Sequence, residues 1–266
     1  MKRQGRLGPL IALGASLIIG ACRAPETPSA PQPPDTLRVM AYNIHHGEGM
    51  DGVLDLDRIA RLILEVNPDL LALQEVDSVV TRTAGVDQAS ELGQMTGMEP
   101  VFGRFMPYKG GAYGMAVLTR LPVVESENVR LPDGDEPRSA VSVTVETPQG
   151  RHLRFTGIHF YRTLAERLAQ AQSLEQQITG DGVAEVLAGD FNSTPGDSVM
   201  VYLGERWRVL SKGEDRFTFS SFAPEREIDF ILVRPDSSFE WLRHWLLDEP
   251  VISDHRPLVA DLLLRD

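Results

Sequence analysis

Val186-Leu187-Ala188-Gly189-Asp190-Phe191-Asn192-Ser193-Thr194-Pro195 begins as a short apolar run suited to a buried strand and ends in a glycine, then an acid and an amide in alternation. On an extended chain alternate side chains share a face, so Asp190 and Asn192 point the same way at the mouth of the strand. Ser193, Thr194 and Pro195 suit a turn or a helix start, which leaves the pair at a loop edge, where chemistry concentrates. Taken alone, the same residues also fit a capped turn in which Asn192 bonds its own backbone. What tips the reading is that other polar clusters of this chain also fall at the ends of predicted strands.

Working outward, Leu37 to Ile44 reads as a first strand that delivers Asn43 to its C-terminal end. The glycine-rich segment His45 to Gly52 follows. Adjacent histidines on an extended chain point apart and do not readily share an ion, so this loop is expected to be pocket wall. Asp55 or Asp57 caps a helix with Leu56, Ile59, Leu62, Ile63 and Val66 on one face, and Asn67-Pro68 stops it. The next strand, Asp69 to Val76, carries Leu70-Leu71-Ala72-Leu73 and then Gln74-Glu75. A carboxylate so close to the end of four apolar residues is costly to desolvate unless paired or bound to a cation, which makes Glu75 a candidate metal ligand.

A helix over Gln88 to Met95 precedes a hairpin, Val101 to Tyr108 and Tyr113 to Thr119, turned by Lys109-Gly110-Gly111. Strands at Val123 to Leu131 and Ala140 to Val145 come next, with Arg138 just before the second as a candidate contact for a phosphate. Arg151 to Phe160 brings His159 to a strand end. Leu164, Leu168, Ala171, Leu174 and Ile178 define the helix face that leads into the Asp190 strand. Glu227 to Val233 places Asp229 inside an otherwise apolar strand, where an acid needs a partner. Asp254-His255 then precede the last strand, Leu258 to Leu264. No internal repeat is evident, and the alternation of strands and helices describes one α/β domain.

The chain has 266 residues, 42% of them hydrophobic, enough to bury a large core. Lys2, Arg3 and Arg6 precede an apolar run from Leu10 to Ala21 that is short for a membrane span and reads as a secretory leader over residues 1–21. It ends Ile19-Gly20-Ala21-Cys22, which resembles a bacterial lipobox with Cys22 as the lipidated residue. Cys22 is the only cysteine, so an internal disulfide and a structural cysteine-zinc site are excluded. Residues 22–36 hold Pro25, Pro28, Pro31, Pro33 and Pro34, an extended tether reaching roughly 40 Å. The folded domain is then expected over residues 37–266. Loss of the leader removes three basic residues and no acid from a chain of net charge −12. So acidic a surface disfavours nucleic acid as a partner, because non-specific binding needs many lysine and arginine contacts to phosphates.

Asn43, Glu75, His159, Asp190, Asn192, Asp229, Asp254 and His255 form six clusters that together supply oxygen ligands for Mg²⁺ or Mn²⁺, a general base and phosphate donors. Their motifs stand as YNIHHG (Tyr42 to Gly47), LQEVD (Leu73 to Asp77), GIHF (Gly157 to Phe160), GDFNSTPGD (Gly189 to Asp197), EIDFILV (Glu227 to Val233) and SDHRPL (Ser253 to Leu258). In this order the set closely resembles the endonuclease/exonuclease/phosphatase superfamily, which includes pancreatic-type deoxyribonucleases, abasic-site endonucleases, inositol polyphosphate 5-phosphatases and bacterial sphingomyelinases. The match runs from about Leu37 to Leu264.

The resemblance implies a four-layer α/β/β/α sandwich of two packed mixed sheets flanked by helices, with the site at one edge. It implies that Glu75 is the principal Mg²⁺ ligand, with Asn43 and Asp254 near the metal and Mn²⁺ as a substitute. It implies that Asp229 orients His255, that Asp190 orients or deprotonates the attacking water, and that Asn192, His159 and Arg138 contact the phosphate. Met115 stands where similar secreted members are expected to carry asparagine, on the leaving-group side. The expected activity is Mg²⁺-dependent hydrolysis of a small-molecule, inositol or lipid-linked phosphoester by a monomer anchored on a bacterial cell envelope, facing the periplasm or exterior. An extracellular endonuclease and a catalytically silent surface-binding lipoprotein are the alternatives; the absence of basic DNA-gripping loops weighs against the first.

Overall fold

The structure, a computed structural model, describes residues 35–178 and 182–265. The leader, Cys22 and the tether as far as residue 34 lie outside the described residues. The first sheet is built from β1 (Asp35–Asn43), β2 (Leu70–Ser78), β3 (Glu99–Tyr108), β4 (Gly111–Thr119), β11 (Phe239–Leu246) and β12 (Leu258–Leu264), in the order β11-β12-β1-β2-β4-β3. The second contains β5 (Val123–Arg130), β6 (Ser139–Glu146), β7 (His152–His159), β8 (Ala184–Asp190), β9 (Arg208–Val209) and β10 (Asp229–Arg234), in the order β5-β6-β7-β8-β10-β9. Among the described residues no helix is long and apolar enough to cross a membrane.

Side chains alternate between the two faces of each strand, and here both faces are covered, so the central strands read as unbroken apolar runs. On β1, Leu37, Val39 and Ala41 join the core between the sheets, with Val141, Val143, Phe155, Val186 and Ile231 opposite. Met40 and Tyr42 face outward onto α1 (Leu56–Val66) and α2 (Gln88–Thr96). Leu187, Phe230 and Leu232 of the second sheet pack on α3 (Leu164–Ile178) and α4 (Ser198–Gly204). Two helix layers thus enclose two mixed sheets, the expected four-layer sandwich.

α1 starts where Asp55 Oδ1 accepts the Arg58 N–H at 3.1 Å and stops at Asn67, whose φ of 51° is left-handed. Between these ends Ile59, Leu62, Ile63 and Val66 are buried, each worth about 2 kcal/mol in transfer terms. Asp55→Ala is expected to cost about 1 kcal/mol by uncapping the helix. A lower urea midpoint at unchanged slope would register it, and an unchanged midpoint would show that water replaces the cap.

The pairing directions decide where the polar strand ends go. β1 runs parallel to β2, and β7 parallel to β8, so Asn43 and Gln74 end one pair and His159 and Asp190 the other. β10 runs antiparallel to β8 and pairs Asp229 with Asp190. Asp229 therefore opens its strand rather than sitting inside it, because an antiparallel neighbour brings its beginning to the other strand's end. Met115, expected on the leaving-group side of the pocket, instead points from β4 into the core and is fully buried between the sheets. It fills the space left by Gly157, where an added Cβ would lie 2.6 Å from its Cε.

Candidate active site

Asp190 ends β8 and is buried. Its Oδ1 accepts the Asn192 backbone N–H at 2.8 Å, and its Oδ2 accepts the Asn43 Nδ2–H at 3.3 Å. The same Oδ2 lies 3.5 Å from His159 Nε2 and 3.7 Å from His255 Nε2. Asn43 donates from the first sheet and Asp190 receives in the second, so this bond joins the two sheets at the site.

His255 Nδ1 donates to Asp229, 2.9 Å from Oδ2 and 3.2 Å from Oδ1, which turns its Nε2 toward Asp190. Burial alone pulls this imidazole down, but the charge and hydrogen bond of Asp229, with Asp190 and Asp254 beyond, outweigh it and carry it up to about 10. Burial, and after it the charge of Asp229, pushes Asp190 up to about 7 against the pull of His255 and of its hydrogen-bond donors. His159 is held well below the ordinary histidine range by burial, then by Arg138 and His255. The site therefore pairs a charged histidine with a neutral one across a single carboxylate.

Glu75 has a φ of 58° at a break in the β2–β4 register between Leu73 and Val76. A bulge of this kind re-aims a side chain, and Glu75 Oε1 accepts the Asn43 Nδ2–H at 3.2 Å. Asn43 thus ties Glu75 to Asp190. Its own Oδ1 accepts the His45 N–H at 3.1 Å. Asn192, at a left-handed φ of 48°, donates from Nδ2 to the Phe160 carbonyl at 2.9 Å. Asp254 is carried by a loop that Ser253 pins to β1, its hydroxyl donating to the Asn43 carbonyl at 2.7 Å.

Glu75, His159 and Asn192 line a cavity of about 350 Å³ together with Tyr113, Arg138 and Tyr161. Arg138 is 5% exposed, with its guanidinium 5.0 Å from the Phe105 ring, 5.8 Å from Tyr113 and 5.4 Å from Tyr161. Glu136 pairs with its Nη1, while its Nε is buried without a partner. Five residues here carry no assignment from the sequence: Tyr113, Glu136, Tyr161, Arg162 and Lys212. Tyr161 and Arg162 follow the GIHF motif directly, and their proximity to it is the only signal that marks them. Lys212 left no signal: it is buried under the site, its Nζ donating to the Asp229 carbonyl at 3.0 Å and pairing with Glu227 at 2.9 Å.

Two groups of three acid or histidine side chains among the described residues bring their ligand atoms within 4.8 Å of one another: Asp190-Asp229-His255 and His45-His46-Glu75. The second corrects the expectation of an extended chain at His45-His46. Both residues have a φ of 45° in a 3₁₀ turn, His45–Gly47, and a turn places neighbouring rings side by side where an extended chain would separate them. The donors fit a divalent cation, since Glu75 is a half-buried carboxylate whose partner is the neutral Asn43 amide and whose neighbours are ring nitrogens.

A sequence model of the Endonuclease/Exonuclease/phosphatase family matches residues 40–255, and the chain belongs to this family of phosphoester hydrolases. It is 26% identical over 245 residues to the uncharacterized protein YbhP of Escherichia coli (strain K12), covering 86% of this chain and 97% of that one. Among solved structures it resembles an endonuclease/exonuclease/phosphatase of Beutenbergia cavernae DSM 12333, with a TM-score of 0.75 at 24% identity over 86% of this chain and 72% of the other. A mannosyl-6-phosphatase of Bacteroides thetaiotaomicron VPI-5482 superposes with a TM-score of 0.70 at 19% identity, over 86% of this chain and all of that one (100%).

Proposed function

We propose that this chain hydrolyses the phosphoester of a small, polar or lipid-linked molecule at a bacterial cell envelope. The observation that carries the reading is the convergence of His159 and His255 on Asp190 Oδ2 beside a cavity of about 350 Å³. Asp190 accepts the proton of the attacking water. His255, kept charged by Asp229, and neutral His159 donate to the phosphate oxygens, and Asn192 and Arg138 hold the group from the cavity side. Arg138 is stiffened by three aromatic rings, so it orients an anion at little cost in conformational freedom. A divalent cation at Glu75, with Asn43 and Asp254 beside it, would neutralise charge on the phosphate; Mg²⁺ suits the oxygen donors and Mn²⁺ can replace it. The named activity of the Bacteroides phosphatase supports a phosphoester substrate. The leader-like residues 1–21 and Cys22 support display on an envelope by a lipid anchor, and a net charge of −12 disfavours nucleic acid.

The test is phosphorus NMR of the chain with Mg²⁺ against a phospholipid, sphingomyelin, an inositol phosphate, a sugar phosphate and a DNA fragment, with Asp190→Ala as control. Turnover of a small or lipid ester that vanishes in the variant is the expected result. DNA cleavage would overturn the substrate class, and no turnover of any ester would overturn the activity.

The two ionisations set the pH dependence. Asp190 must be ionised and His255 protonated, so kcat/KM is expected to rise through about pH 7 and to fall near pH 10. The Asn43 hydrogen bond lowers the Asp190 pKa. Asn43→Ala is therefore expected to move the acid limb upward, and a limb that moves down would remove Asp190 as its source.

A further inference from the structure

Glu48 holds His45 and His46 from behind. Its carbonyl oxygen accepts from His45 Nδ1 at 3.0 Å, and its carboxylate lies 3.4 Å from His46 Nε2. A neutral imidazole carries one N–H and one lone pair, so these contacts leave His45 Nε2 and His46 Nδ1 as the lone-pair nitrogens. His46 Nδ1 is buried and has no partner, in a residue only 8% exposed. Such an orphaned atom in a packed site calls for an explanation. The two rings meet edge to face with centroids 4.5 Å apart, and a nitrogen of each lies within 4.8 Å of the other's and of a Glu75 oxygen.

We propose that His45, His46 and Glu75 form a nitrogen-donor metal site for a borderline transition ion of the Zn²⁺ or Co²⁺ type. Imidazole suits such ions, whereas Mg²⁺ takes oxygen. A metal-ligating histidine commonly donates its other N–H to a carbonyl or a carboxylate, which fixes the tautomer and the ring direction, and Glu48 supplies one of each. Both histidines hold a left-handed φ of 45°, a conformation that non-glycine residues rarely adopt. The site needs no assumption about substrate, and it shares Glu75 with the cation of the proposed reaction.

The experiment uses the full-length chain, purified without a histidine tag and stripped with chelator, and follows Co²⁺ binding by visible absorption in the absence of substrate. The expected result is saturable binding with the absorption of nitrogen-ligated cobalt, displaced by one equivalent of Zn²⁺ and not by equimolar Mg²⁺. His46→Ala is expected to weaken binding at least a hundredfold. Because His46 is buried, Glu48→Ala serves as a second variant, its side chain being 41% exposed, with an expected loss of about tenfold or more. Unchanged Co²⁺ affinity in both variants, or displacement by equimolar Mg²⁺, would overturn the site. Intact Co²⁺ binding in a chain that hydrolyses no phosphoester would count against the hydrolase reading alone.

Discussion

Asp190→Asn is expected to lower kcat at least a thousandfold while leaving the fold intact. Asparagine keeps the shape and can still accept the Asn192 N–H on its oxygen, but it cannot take a proton from water. A positioned general base contributes about 10² to 10⁴ in rate, and the group here also aligns two histidines, so the upper part of that range applies. Stability should move the other way. The Asp190 pKa is raised in the fold, so its contribution is fully present below the ordinary carboxyl range and is lost as pH rises through about 7. At pH 8 the native chain carries a desolvated charge that asparagine lacks. A gain of about 1 kcal/mol, roughly 2–4 °C in Tm for a domain of this size, is expected at pH 8 and should vanish toward pH 4. Turnover within tenfold of the native chain, or a Tm difference that ignores pH, would remove Asp190 from the role.

Gly189→Ala carries the second large effect, and it follows from backbone geometry alone. Gly189 sits at a φ of +144°, directly opposite Ile158 in the parallel β7–β8 register. An added Cβ would lie 2.1 Å from the Ile158 carbonyl oxygen and 2.9 Å from Gln74 Nε2. The first obstacle is backbone and cannot rotate aside, so β7 and β8 must part by about an ångström to reach ordinary contact. Overpacking and left-handed strain together put the cost at about 3 kcal/mol. The displaced residues are His159 and Asp190 themselves, and a misplacement of about 1 Å is worth roughly a hundredfold in rate. Gly150→Ala is the control: its φ is +76°, yet nothing lies within 4 Å of an added Cβ. Urea midpoints and kcat for both variants decide the matter. A Gly189→Ala chain as stable and active as Gly150→Ala would show that the sheet yields locally.

The glycine was visible in the sequence as the end of an apolar run, but its reason was not. Nothing in Val186-Leu187-Ala188-Gly189-Asp190 states that another strand's carbonyl will occupy the space of the missing side chain. The same division runs through the site. Asn43, Glu75, His159 and Asp190 were legible because each is a polar residue at or near the end of an apolar run, where leaving it unpaired is costly. Asp229 was legible as an acid needing a partner, while its place at the start of β10, opposite Asp190, came from the antiparallel pairing.

By itself, then, the sequence did not mark α4, β9 or β11, but it determined most of the strands and helices, through their period, and the residue types available for chemistry. Both are local properties, written in spacing and in the cost of burying a charge. Tertiary structure alone decided which strand ends meet, that Met115 fills the core against Gly157, and that Lys212 supports Asp229 from below. It also decided that His45 and His46 turn together toward Glu75. The reason is that a side chain's direction depends on φ, ψ and strand sense, and its neighbours come from segments far away in the chain, so no window of sequence contains both partners of such a contact.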